Sequence, residues 1–152
     1  MARRSDAREI VLQALYQHDV NRGENTQRLS NDIWQQLHQK AKEEDISAFG
    51  CALFEGVCRK WDEIDARLTG LATNWTLHRM AVIDRNVLRL AAYELLYTDT
   101  PHQIVINEAV TLAKRFGDVK SSSYVNGILD RIVHADTAGD DEPDKESVPD
   151  NG

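Results

Sequence analysis

The stretch that most limits how this chain can fold is Arg85 to about Thr98, RNVLRLAAYELLYT. Val87, Leu88, Leu90, Ala91, Ala92, Leu95 and Leu96 cover most of a helical circumference, and Tyr93 and Tyr97 fill the gaps. A helix that is apolar nearly all round belongs inside a larger assembly, so other elements must wrap it. Asp84 reads as its N-cap, and Pro101 stands just beyond its end. Arg89 and Glu94 on this helix need partners, because an unpaired buried charge is costly. Glu108 of the following segment is the expected partner of Arg89.

The elements around it also follow the helical period. A first helix runs from about Ser5 to Val20, with Ala7, Ile10, Val11, Ala14 and Leu15 on one face. After the polar link Asn21–Asn25, Thr26 caps a second helix whose stripe is Leu29, Ile33, Trp34 and Leu37. Ile46, Phe49, Leu53, Val57, Trp61, Ile64 and Leu68 then make one long helical pattern. Gly50 and Gly56 lie inside it and imply close helix packing, since each costs about 1 kcal/mol against alanine. Trp75–Met80 reads as a short connecting helix or turn. In Pro101–Arg131, Val105, Ala109, Leu112, Ala113 and Phe116 share one face, and Asn107, Thr111, Lys114 and Arg115 take the other. Gly117 suits a left-handed C′ position. Ser121, Ser122 and Ser123 offer N-cap hydroxyls to a last helix with Tyr124, Val125, Ile128, Leu129 and Ile132 on one face.

No strand set emerges, so the expected fold is all-α: about six main helices in two three-helix groups. We place one helical domain at residues 1–134, with parts of about 1–75 and 76–134. Residues 135–152 form a disordered acidic tail. From Ala135 onward seven acids face a single Lys145. The chain's net charge of −7 therefore falls to −1 over residues 1–134, and an anionic partner is not excluded. The tail reads as a solubilising appendage or as a competitor for an RNA site.

The composition excludes several function classes. No apolar run approaches a membrane span, and the N-terminus lacks a signal-peptide apolar region, which points to a soluble cytoplasmic chain. Cys51 and Cys58 stand two helical turns apart, about 10 Å, too far for a disulfide, and read as core thiols. The five histidines are scattered, and no CxxC, HExxH, GxSxG, P-loop or GxGxxG is present. No metal, cofactor or enzymatic activity is expected. Asp62 and Asp65 read as a solvated face. Arg3, Arg4 and Arg8 at the first helix start oppose the helix dipole, which prefers acids there. They are either a solvated basic end or a clamp on phosphates. Tyr16, two turns beyond Arg8, could stack a base or fill the core.

Taken together, ARRSDAREIVLQALYQ at Ala2–Gln17, IDRNVLRLAAYELLY at Ile83–Tyr97, VINEAVTLAKRFG at Val105–Gly117 and YVNGILDR at Tyr124–Arg131 resemble the NusB transcription antitermination family. The resemblance spans about residues 3–133. It implies two three-helix bundles and a non-enzymatic factor that binds single-stranded boxA-type leader RNA together with ribosomal protein NusE. That pair would act on the transcribing RNA polymerase complex with other Nus factors. By motif position, Arg3, Arg4, Arg8 and Tyr16 match the family's RNA-facing N-terminal region. Lys114, Arg115, Lys120 and Ser123 match the neighbouring RNA-facing loop, while Asp84 and Tyr124 match positions facing NusE. Replacing Arg4 and Arg8 by alanine is expected to weaken RNA binding and leave the fold intact. Asp84→Lys is expected to repel a basic partner. Two other readings are a NusB-like domain related to RNA cytosine methyltransferases and a homodimeric interaction module.

Overall fold

A computed structural model describes residues 3–21, 26–41, 44–71 and 80–141. These residues form seven α-helices: α1 (Arg4–Val20), α2 (Thr26–Ala41), α3 (Glu44–Arg59), α4 (Trp61–Leu71), α5 (Val82–Tyr97), α6 (His102–Phe116) and α7 (Ser121–Asp141). The described residues contain no strand. α1, α2 and α3 pack on one another as a first group, and α5, α6 and α7 as a second. α4 lies mainly against α5 and α7.

α5 is the hub, as its all-round apolar surface requires: it packs on α1, α3, α4, α6 and α7. Leu88, Leu90, Ala92 and Leu95 are all buried. Each large side chain removed from water there contributes roughly 1.5–3 kcal/mol before chain entropy is counted. From the first group, Val11, Leu15, Ile33, Leu37 and Phe54 join the same core. The apolar faces of α6 and α7 close it from the other side. Gly56 marks where α3 crosses α5: a Cβ there would run into the ring of Tyr93. At Gly50 an added Cβ would stand 2.6 Å from Leu37 Cδ1. Close helix approach thus accounts for both glycines. Cys51 and Cys58 are half-buried thiols; burial raises both, Cys58 to about 12, with Glu55 adding to it.

Several local expectations are corrected. The long pattern from Ile46 to Leu68 is two helices, broken at Lys60. Val57, Trp61 and Ile64 stay buried on both sides of the break, so the apolar period passes through it unmarked. α5 begins at Val82 with Ala81 at its N-cap. Asp84 therefore lies in the first turn, and its side chain is buried instead of capping. α7 continues to Asp141, seven residues into the acidic segment. The remainder of that segment lies outside the described residues, as does the expected connecting link up to residue 79.

The buried charges also pair differently from expectation. Arg89 does not meet Glu108. Its Nε and Nη2 donate to the two oxygens of Asp65 at 2.7 and 3.0 Å, and Nη1 donates to Asp19 at 2.8 Å. Its guanidinium also lies 4.0 Å from the Trp61 ring centroid. Asp19 further accepts from Arg85 Nε at 2.6 Å and from the Asn86 amide at 3.0 Å. Burial alone would raise the Asp19 carboxyl, but Arg85, Arg89 and Asn86 outweigh it and hold the group below its ordinary value. Asp65 is thus a structural ion-pair partner. Arg89 and Glu94 are five residues apart, about 140° around α5 at 3.6 residues per turn, so they serve different neighbours.

Candidate nucleic-acid interface

The N-terminal arginines divide into two kinds. Arg3 and Arg4 are exposed, whereas Arg8 is buried at 3% exposure. Arg8 Nε and Nη2 donate to Glu94 Oε2 and Oε1 at 2.7 and 2.8 Å, a bidentate pair, and Glu108 stands 3.7 Å from its Nη1. Burial would lower the Arg8 pKa, but Glu94 and then Glu108 outweigh it and raise the net value. Arg8 is therefore set apart from Arg3 and Arg4: it is buried, with its Nε and Nη2 committed to Glu94. The expectation that Arg8→Ala leaves the fold intact falls, because the change would strand a buried Glu94.

Arg3 and Arg4 lead in different directions. The Arg3 backbone N–H donates to Asp6 Oδ2 at 2.8 Å, which fixes the start of α1. Arg3 borders the seam between α1 and α6, across from Arg115. Arg115 is exposed but donates to Glu9 at 2.6 Å, and its guanidinium lies 5.1 Å from the Phe116 ring centroid. Arg4 turns toward α3, with its guanidinium 4.5 Å from the Phe49 ring centroid. Among the described residues Arg3, Arg4, Lys114 and Lys120 are all exposed, and none has an ion pair with an acid. Only such cations can exchange bound counterions for phosphates without first breaking an internal contact.

Tyr16 is 39% exposed and sits in a groove of about 300 Å³ with Leu12, Gln13, Gln17, Ile83 and Phe116. Apart from Tyr16, none of these residues reads from the sequence as functional, and Phe116 reads as core. Leu12 and Tyr16 stand one turn apart and could have marked the wall on α1; nothing local links them to Ile83 or Phe116. On the far side of α6, Lys114 and Ser123 line one polar groove with Asn107, Thr111, Ser122 and Asn126. Arg3 and Arg115 thus border the α1–α6 seam, Lys114 and Ser123 the groove between α6 and α7, and Tyr16 a separate groove shared with Phe116, while Arg4 faces α3.

The loop between α6 and α7 is tightly specified. Gly117 closes α6 through its N–H to the Ala113 carbonyl at 2.9 Å. Its φ of −97° and ψ of −166° are extended, not left-handed. Glycine is required here by crowding: a Cβ would stand 2.8 Å from the Ala113 carbonyl oxygen and collide with Ser121. Asp118 N–H donates to Ser121 Oγ at 2.9 Å, and Lys120 N–H donates to Asp118 Oδ1 at 2.9 Å. These bonds push Val119 out to 97% exposure and turn Lys120 to solvent.

Asp84 lies under that loop, 8% exposed, close to Ser121 and Tyr124. Its Oδ1 is buried without a hydrogen-bond partner among the described residues. Burial pushes its carboxyl up, Asp118 adds to the rise, and the Ser121 hydroxyl opposes it. Tyr124 is half-buried, and its phenol is pushed up to about 12, first by burial and then by Asp84, against Arg131. The structure therefore brings Asp84 and Tyr124 together beneath the loop that carries Lys120.

No group of three or more metal-ligating side chains that could hold an ion occurs among the described residues. No helix among them is long and apolar enough to cross a membrane.

Comparison with known proteins converges on one family. A sequence model described as the NusB family matches residues 5–134. The transcription antitermination protein NusB of Anaeromyxobacter dehalogenans is 42% identical over 132 residues, covering 87% of this chain and 91% of the relative. The protein of that name from Myxococcus xanthus is 43% identical over 137 residues, covering 89% and 97%. Among solved structures, T. maritima NusB superposes with a TM-score of 0.78 at 36% identity, covering 86% of this chain and 90% of that one. A structure of antitermination factors NusB and NusE in complex with dsRNA gives a TM-score of 0.76 at 28% identity, covering 87% and 96%.

Proposed function

This chain belongs to the NusB family of transcription antitermination factors, and from that premise we propose that it binds boxA-type single-stranded leader RNA jointly with ribosomal protein NusE in the cytoplasm. One observation carries the reading: Arg3, Arg4, Lys114 and Lys120 are exposed cations without ion pairs, the first two at the start of α1 and the others at the end of α6 and in the α6–α7 loop, on a chain whose net charge is −7. Phosphates meet Arg3, Arg4, Lys114 and Lys120, and bases meet Tyr16 and the hydroxyl of Ser123. Arg115 joins them at the cost of its contact with Glu9. A patch of this size gives weak, salt-sensitive binding alone, and NusE extends the surface that one strand engages.

The protein partner sits over Asp84, Tyr124 and the exposed Val119. Asp84 is too buried for Asp84→Lys to be a clean probe, since lysine there would also disturb packing under the loop. Asp84→Asn keeps the shape and removes the charge. The resulting complex acts on transcribing RNA polymerase with further Nus factors. The complex among the solved relatives contains dsRNA, so single-stranded and duplex forms are the comparison to make. Labelled boxA RNA, its scrambled counterpart and its duplex are titrated with the protein, with and without NusE. Tighter binding of the single strand that NusE strengthens supports the reading, with Asp84→Asn reducing the NusE effect. Equal binding of scrambled RNA, or no effect of NusE, overturns it.

A further inference from the structure

A cavity of about 650 Å³ opens beside the N-terminus of α1, away from Tyr16 and the α6–α7 loop. That volume lies within the range of small-molecule sites, about 300–1,000 Å³. Its walls are apolar and partly aromatic: Phe49 and Leu53 from α3, Tyr93 from α5, Pro101 before α6, and Ile104, 48% exposed, from its first turn. Arg3 and Arg4 stand at its mouth, and Arg8, held by Glu94, lines it together with Glu108. Two guanidiniums flank Phe49, Arg4 at 4.5 Å and Arg8 at 5.1 Å from the ring centroid. Arg8 is committed to Glu94, so only Arg4 can move off the ring. None of these apolar residues belongs to the interface already described.

We propose that this cavity is a nucleotide subsite that takes one unstacked base of the same RNA strand, outside the segment held at Tyr16; the assignment rests on the RNA reading above. A base is planar and stacks on aromatic rings and guanidinium planes, which are the surfaces that Phe49 and Arg4 present. Its phosphate carries the charge that Arg3 and Arg4 lack an internal partner for. An apolar peptide would satisfy the walls but leave both arginines at the mouth unanswered. Asp99 on the rim can accept from a base amino group, as carboxylates do from cytosine. Arg4 and Tyr16 are twelve residues apart on α1, about 18 Å, so the two bases are separated by several nucleotides. Arg3 borders both this cavity and the α1–α6 seam that holds Arg115.

The test measures affinity, with NusE present, for a core boxA RNA and for the same RNA extended by several nucleotides at each end in turn. Phe49→Leu keeps an apolar side chain and removes the ring. Ile104→Glu places a carboxylate at the mouth, in the first turn of α6, where the helix dipole favours acids and the fold is kept. Wild type should bind one extended RNA more tightly than the core. Both variants should lose that gain, by about 5- to 100-fold as for removal of a stacking aromatic, and in Phe49→Leu core binding stays unchanged. A 2-aminopurine placed along the extension should be quenched at one position in wild type and not in Phe49→Leu. Extension without gain, or a gain that survives both substitutions, overturns the subsite and leaves the RNA reading standing. If wild type binds neither RNA, the reading and the subsite fall together.

Discussion

Arg4 and Arg8 are one helical turn apart in α1 and have opposite fates. The turn between them carries one guanidinium to the surface and the other onto Glu94, 86 residues later in the chain. Nothing local in the sequence distinguishes them, because the decisive partner lies on α5. Arg8→Ala should cost about 3–5 kcal/mol by leaving a buried carboxylate unpaired, a loss of about 6 °C or more in melting temperature by the usual scaling for chains of this size, roughly 2–4 °C per kcal/mol. Arg4→Ala should stay within about 0.5 kcal/mol of wild type, as surface changes do. Thermal melts of the two variants side by side check both statements. Asp19 is the second residue whose role depends on distant groups. Its folded pKa lies below the unfolded value of 3.8. The stability it contributes is therefore complete above that value and is lost as pH falls through the lower folded one. Asp19→Asn should melt lower than wild type at pH 7, and the gap should close as the pH drops below about 3.8.

At the scale of elements, the helical period was legible wherever one face had to be buried. It placed α1, α2, α6 and α7 close to where they lie, and the all-round apolar surface of α5 announced the hub. The period fails at Lys60, because an apolar stripe that stays buried across a change of helix looks continuous. It fails again at Asp84, where a residue type that commonly caps is drawn under α7 instead. Gly117 was recognised as the end of α6 for a reason that does not hold: its backbone is extended, and the crowding by Ala113 and Ser121 makes glycine necessary. Because one of those neighbours is backbone, it cannot step aside. Gly117→Ala should therefore destabilise by about 1–3 kcal/mol, as overpacking does. It should also displace the loop that holds Lys120, so binding of NusE should weaken more than the stability loss alone explains. Calorimetric titration at a temperature where the variant stays folded measures this. NusE affinity equal to wild type would show that the loop geometry does not matter to the partner.

Over the whole molecule, bulk charge is a poor guide to function. The −7 total hides a nearly neutral body, and within that body several arginines are spoken for: Arg8 by Glu94, Arg89 by Asp19 and Asp65, Arg115 by Glu9. The family was legible because several motifs occur in order at the right spacing. The composition of the interface was only partly so, since a free cation and a paired one look alike in sequence. The free cations are the charges proposed to hold the RNA. The most direct measurement is the salt dependence of boxA RNA binding by the protein with NusE. It is made for wild type and for the single alanine variants of Arg3, Arg4, Lys114 and Lys120. Each variant should flatten the slope of log K against log salt by about 0.7, the value for one phosphate contact on a single strand. Slopes identical to wild type in all four variants would show that these cations do not hold the RNA.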